Sequence, residues 1–287
     1  MANSRSISVD LKATARRLAK LRRYVDGNLL SDDSFVCPSF AQCCGSRRTG
    51  DAFREGTMSH VGRRYDLAVG GRPLRIVVVG QESGLPKGAG AHGRERRVSL
   101  ETRYEAIHDV SGLQRRYRAG SGYSGRNPHM RGTTQALRVV FGKGLGTSHE
   151  DEFVTPTKGR SFHLFDGFAL VNRLLCSAGP CGGSEGHPTS TMFANCVEHF
   201  IATLRILEPT LVIVQGKRVE RRTCDVFKLH RSLSDHLHEA RFEGRKILLC
   251  AFSHPSAHGS LRWGDSLEAP YLTQVVVPTL EDAVGRL

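Results

Sequence analysis

Four short apolar runs, each breaking off into polar or glycine-bearing sequence, constrain this chain more than any other feature. Leu74–Val79, Leu211–Val214 and Lys246–Phe252 are rich in β-branched residues, and Phe168–Asn172 is a fourth run of the same kind. Runs of this length between turn residues read as buried strands, because helices need longer patterns. Between them the spacing predicts helices. One covers 9–25, with Leu11, Ala15, Leu18, Leu21 and Val25 on one face and Arg16, Arg17, Lys20, Arg22 and Arg23 on the other. Another covers 133–141, capped by Thr133 or Thr134. The clearest covers 191–207, where Phe193, Cys196, Val197, Phe200, Ile201, Leu204 and Leu207 repeat at helical period before Pro209 stops it. Strands alternating with helices predict an α/β fold, a three-layer α/β/α sandwich around a short parallel four-stranded sheet.

The chain reads as one domain over 1–287. Residues 1–45 hold the basic helix and a first group of cysteines, and 45–70 read as irregular. Segment 85–130 is a Gly- and Arg-rich insertion containing Arg94-Glu-Arg-Arg97 and Arg115-Arg-Tyr-Arg118. A segment this long is either a functional loop that contacts a polyanion or a solvated one.

The residues just past each strand matter as much as the strand itself. Gly80-Gln-Glu-Ser-Gly84, Asn172, Gln215-Gly216 and Ser253-His-Pro-Ser256 stand at the four carboxyl ends. In an open α/β sheet the ligand crevice lies outside those ends. Alone, Glu82 reads as a solvated loop carboxylate, His254 as a turn histidine and Asn172 as a cap. Their common placement makes them a candidate site.

Charge and cysteine content narrow the function classes. Lys and Arg number 41 against 28 Asp and Glu, a net charge of +13. Such a surplus suits a polyanionic partner, since phosphate contacts release counterions. No apolar run approaches bilayer length and the first residues lack an apolar signal core, so a membrane or secretory destination is not expected. Eight cysteines in such a chain point to metal or catalysis rather than disulfides. Cys37, Cys43 and Cys44 cluster early; Cys176, Cys181 and Cys196 form a second group. Cys250, inside an apolar run, reads as a small buried hydrophobe.

At these residues the chain resembles the uracil-DNA glycosylase superfamily, and its iron–sulfur branch most. Ile76-Val-Val-Val-Gly-Gln-Glu-Ser-Gly84 resembles the first motif, an apolar strand running into Gly-Gln-Asp-Pro-Tyr or Gly-Glu-Ala-Pro-Gly. His254-Pro255-Ser256 resembles the second, His-Pro-Ser. Asn172-Arg-Leu-Leu-Cys176 has the four-residue step of Asn-Val-Val-Lys-Cys, and Glu208–Gly216 resembles the strand after the last cluster cysteine. The likeness spans roughly residues 35–260 and is poor across 85–130.

The resemblance implies hydrolysis of the N-glycosidic bond of uracil, or a similar deaminated base, in double- or single-stranded DNA. The sugar then becomes cation-like, the departing base becomes an anion, and the base must be flipped out to be read. Glu82 falls where the classical enzymes hold their catalytic Asp. His254 would stabilise the departing base, and Asn172 would read its edge. Gly80 and Gln81 would hold the base through backbone, and Ser256 would contact a flanking phosphate. The branch also implies a [4Fe–4S] cluster on four thiolates: Cys176 and Cys196, with Cys37 and either Cys43 or Cys44 as the first pair. Zinc on the same thiolates, or no metal, are the alternatives. The resemblance further implies a monomer in the cytoplasm, associated with the nucleoid through DNA.

The departures bear on substrate range. The first cysteine pair is spaced wider than Cys-x-x-Cys. Ser83 replaces a proline or alanine, and Gly84 leaves no tyrosine to block a thymine methyl. No clear aromatic precedes the helix at 133–141 to stack on a base, leaving His129 or Tyr123. A relative that binds without turnover, or that prefers a deaminated purine, is one rival. A nucleotide-handling hydrolase is another, weakened by the lack of a P-loop Lys-Ser/Thr or a dinucleotide fingerprint.

Overall fold

Alternate residues of the central strands enter two different cores, and this decides the layering. The computed structural model describes residues 6–32, 34–82, 99–113, 122–180 and 186–287. Its main sheet contains β1 (His60–Val61), β2 (Ile76–Gly80), β3 (Phe168–Asn172), β4 (Leu211–Gln215), β5 (Lys228–Ser232), β6 (Leu237–Phe242) and β7 (Arg245–Phe252). The helices are α1 (Leu11–Asn28), α2 (Phe40–Gly45), α3 (Leu100–Val110), α4 (Pro128–Val140), α5 (Ser190–Leu207), α6 (Lys217–Cys224) and α7 (Val277–Arg286). Ile76, Val78, Leu211, Ile213, Leu248 and Cys250 join one core with Leu137 of α4 and Leu280 of α7. Val77, Val79, Val212, Val214 and Leu249 join the other with Leu21 of α1 and Leu204 of α5. Strands covered on both faces must be apolar at every position, which is why they read as continuous runs.

The fold is mixed α/β, and its sheet is larger than the four-stranded parallel sheet expected. Seven strands lie in the order β5-β6-β7-β4-β2-β3-β1. The central four pair in parallel, β7 with β4, β4 with β2 and β2 with β3. Antiparallel strands flank them, β6 and β5 beyond β7 and the short β1 beyond β3. Every residue of β5 is exposed, so no apolar pattern announced it. Residues 45–70 are not irregular either. They hold Ala52–Arg54, which pairs with Ser177–Gly179, together with β1 and Leu67–Val69.

Helix boundaries shift for physical reasons. α4 starts at Pro128 rather than 133 because Asn127 accepts the Met130 N–H at 2.9 Å and Pro128 takes the first turn. α5 is capped by Thr189, just ahead of its apolar stripe. α1 runs on to Asn28, and its basic face is partly engaged: Arg17 binds Asp66 and Glu208, both at 2.9 Å, and Arg22 pairs with Glu101. Within 85–130, α3 is an ordinary helix capped by Ser99. Both Arg-rich stretches of that segment, and Ser83, Gly84 and Cys181, lie outside the described residues.

Candidate active site

Parallel register brings four strand ends to one edge. Gly80 is level with Asn172, and Gln215 with Phe252. The polar groups that sequence placed after each strand therefore share one rim. The strand ends are bound to each other as well, since the Arg173 and Leu174 N–H groups donate to the Gly80 and Gln81 carbonyls, both at 2.8 Å. Asn172 is buried, and a Cβ added at Gly80 would stand 3.0 Å from its Oδ1.

Glu82 lies against the backbone of Gly186, where a Cβ would overlap its carboxylate. Its Oε1 accepts the Gln81 amide at 3.3 Å, while Oε2 is buried with no partner among the described residues. Desolvation pushes its pKa up to about 7, against the opposing influence of Gln81 and of Arg218. An orphaned carboxylate oxygen at a sheet's ligand edge is a place where a water or ligand group belongs.

His254 has a fixed tautomer. The Ser256 N–H donates to its Nδ1 at 3.1 Å, so in the neutral ring the proton sits on Nε2. Desolvation lowers its pKa, so it is neutral at physiological pH and presents an N–H donor. Ser256 thus serves first as the orienter of His254, through its backbone. The turn is rigid: the Trp263 indole donates to the Ser253 carbonyl at 2.8 Å, and the Ser253 N–H donates to Tyr271 Oη at 3.1 Å.

Of the two rings the sequence offered for stacking on a base, His129 lies beside His254. The two rings stack at 5.1 Å with planes 7° apart. Close approach of α4 makes this possible, since a Cβ at Gly132 would come 2.6 Å from Pro255 Cβ. His129 Nε2 has no hydrogen-bond partner among the described residues, and desolvation, helped by His254, pushes its pKa down to about 3. Gln215 joins the rim by exchanging hydrogen bonds with Thr133 at 3.2 and 3.3 Å. The signal for His129 was present in Asn127-Pro128, a helix start that the apolar pattern placed too late.

Three of the four cysteines expected to act together, Cys43, Cys176 and Cys196, share one buried cluster, while Cys37 is half-buried and packs against the core that holds Leu21 and Leu204. Cys44 points away, one residue round α2, and meets the Arg47 guanidinium at 3.0 Å. The pairing of Ala52–Arg54 with Ser177–Gly179 and a Thr57-to-Leu175 hydrogen bond of 2.8 Å stitch the two cysteine segments together. Asn195 Nδ2 donates to Cys43 Sγ at 3.4 Å, and the backbone at Ser39, Gly56 and Leu175 works against the upward effect of burial on the Cys37, Cys176 and Cys196 thiols. His199 Nε2 also stands 3.7 Å from Cys37 Sγ, its Nδ1 bonded to Tyr24 Oη at 2.7 Å. Burial raises the Cys196 thiol to about 11 and raises Cys176 as well, and the neighbouring sulfurs add to both shifts. Free thiols there resist ionisation, whereas a bound metal would deprotonate them. Thiols gathered this way, with a side-chain donor at Cys43, fit a thiolate-ligated metal group.

A second polar group, His149, Glu152 and His163, gathers its ligand atoms within 4.8 Å. Its hydrogen bonds argue for an ion-pair network. The Phe165 N–H donates to His163 Nδ1 at 3.1 Å, so Nε2 carries the proton and donates to Glu152 Oε2 at 2.8 Å. Arg126 holds both carboxylate oxygens at 2.7 and 2.6 Å. His163 has no lone pair left for a metal, and the carboxylate is already neutralised by a bidentate guanidinium.

Among the described residues, no helix is long and apolar enough to cross a membrane. No protein-family model matches the chain, and no curated protein matches its sequence.

Proposed function

We propose that this protein is a DNA-base glycosylase that hydrolyses the N-glycosidic bond of uracil or a similar deaminated base. One observation carries the reading: Glu82, with its orphaned Oε2, Asn172 and the Nε2–H of His254 share the ligand edge of the central parallel strands. Glu82 orients the attacking water and stabilises the sugar cation. His254 donates to the carbonyl oxygen of the leaving base, where negative charge develops. Asn172, buried at the end of β3, pairs with the base edge, and His129 beside His254 offers a flat face for stacking. The +13 net charge supports DNA as the carrier of that base.

The ionisation states set the pH dependence. Glu82 works as a carboxylate and titrates at about 7, so its active form is lost as pH falls through that value. His254 works neutral, the form that its burial favours. Single-turnover base release should therefore rise about tenfold per pH unit below neutrality and level off above it. A flat profile, or one that falls with rising pH, contradicts these roles.

Cys37, Cys43, Cys176 and Cys196 are the proposed ligands of a [4Fe–4S] cluster, which would tie the N-terminal segment to α5. Cys176→Ser or Cys196→Ser should reduce bound iron to background and lower the thermal midpoint. Wild-type protein free of iron and zinc, with both variants as stable as the parent, contradicts the assignment.

A further inference from the structure

Arg173 is a buried cation whose charge no carboxylate matches in an ion pair among the described residues. Its residue is 4% exposed, yet its hydrogen bonds and ring contacts are to neutral groups: the Phe193 carbonyl at 3.3 Å, the Arg222 carbonyl at 3.4 Å, and the Phe193 and Phe200 rings at 5.7 and 5.3 Å. Nη1 has no hydrogen-bond partner, and among the described residues no carboxylate forms an ion pair with it. Asp225 acts on it only through space, while Arg222 adds like charge. A buried guanidinium left this way is costly unless an anion stands near.

The cysteine cluster adjoins the same part of the fold. Phe193, Cys196 and Phe200 follow one face of α5 at helical spacing, and Arg173 lies across that face. Of the ionisable groups around Arg173, Cys196 is the one whose ionisation would favour the cation most. A neutral thiol cannot compensate a guanidinium, whereas a thiolate in a net-negative metal group can. Resting on the thiolate-ligation reading above, we propose that Arg173 is the counter-cation of the metal group held by Cys37, Cys43, Cys176 and Cys196. Its unpartnered Nη1 is the donor left over for that contact. Because Arg173 is the next residue after Asn172, the cation also ties the metal group to the residue that reads the base.

The test uses metal-loaded protein. Arg173→Met keeps length and apolar packing but removes the charge, and Arg173→Lys keeps the charge without the fork. Removing a cation beside an electron acceptor disfavours reduction. Arg173→Met should therefore move the midpoint potential of the bound group to a more negative value. It should also speed iron loss to a chelator by on the order of tenfold, the scale of losing an outer-shell partner. Arg173→Lys should stay near wild type in both, a rescue that a purely steric role would not give. If Arg173→Met does not fold, Arg173→Gln carries the same comparison. Wild-type values for both readouts in the neutral variant overturn the proposal, as does a Lys variant no better than Met. Wild-type protein that binds no metal at its cysteines fails the ligand reading itself, a separate result.

Discussion

Glu82→Gln and His254→Ala are each expected to lower single-turnover base release by about a hundredfold or more, the scale of losing one placed electrostatic stabiliser. In the proposed mechanism the two residues act at opposite ends of the breaking bond, Glu82 beside the sugar cation and His254 beside the base anion. Both effects belong to the transition state, so affinity for DNA should change little. The double variant should lose less than the product of the single losses if the pair acts as one unit. Asn172→Asp should behave differently. It exchanges an amide donor for an acceptor at the base edge and should shift selectivity between uracil and cytosine. Variants that release base at the wild-type rate would remove Glu82 and His254 from the mechanism.

Arg126→Ala should destabilise the fold by about 3–5 kcal/mol, the cost of stranding one partner of a buried ion pair. Both Arg126 and Glu152 side chains are fully buried, and the guanidinium also binds Thr134 Oγ1 at 2.8 Å and the Ser111 carbonyl at 2.9 Å. It therefore anchors the start of α4 to the end of α3. Because Arg126 immediately precedes the α4 cap, its loss should loosen His129 and weaken base release beyond the change in folded fraction. Urea unfolding measures the first effect. A loss below about 1 kcal/mol, the range of exposed pairs, would mean that the network is not an anchor.

The candidate site was largely legible because parallel strands leave two kinds of mark. Each is apolar at every position, being covered on both faces, and each stops where backbone and side chains turn polar at the ligand edge. Gly80-Gln81-Glu82, Asn172 and His254-Pro255-Ser256 could be placed together on that logic alone. The cysteine grouping was legible for a similar reason, since the step from Asn172 to Cys176 links the strand end to the thiol cluster. Choosing Cys43 over Cys44 required knowing which side of α2 faces inward.

The illegible parts depend on partners far away in the chain. Nothing local marks Lys228–Ser232 as a strand, because an exposed edge strand needs no apolar face. His60–Val61 is too short to carry a period at all. Nothing local marks Arg126, Glu152 and His163 as partners; the fold buries them together. Arg173 likewise hides in a strand-end turn, and only the packing of Phe193 and Phe200 against it exposes the unmatched charge. His129 was named from sequence only as a possible stacking ring; its place beside His254 was hidden because the apolar stripe drew the helix start past Asn127-Pro128.

The most direct test of the central claim is to incubate wild-type protein, in excess, with uracil-containing single- and double-stranded oligonucleotides and assay free uracil by mass spectrometry. A DNA-base glycosylase should release the free base with matching formation of abasic sites, and should release none from the same oligonucleotide with cytosine in place of uracil. Stable binding to these oligonucleotides with no free uracil, and no free base from substrates carrying deaminated purines, would contradict the claim and leave a nucleic-acid-binding protein in its place.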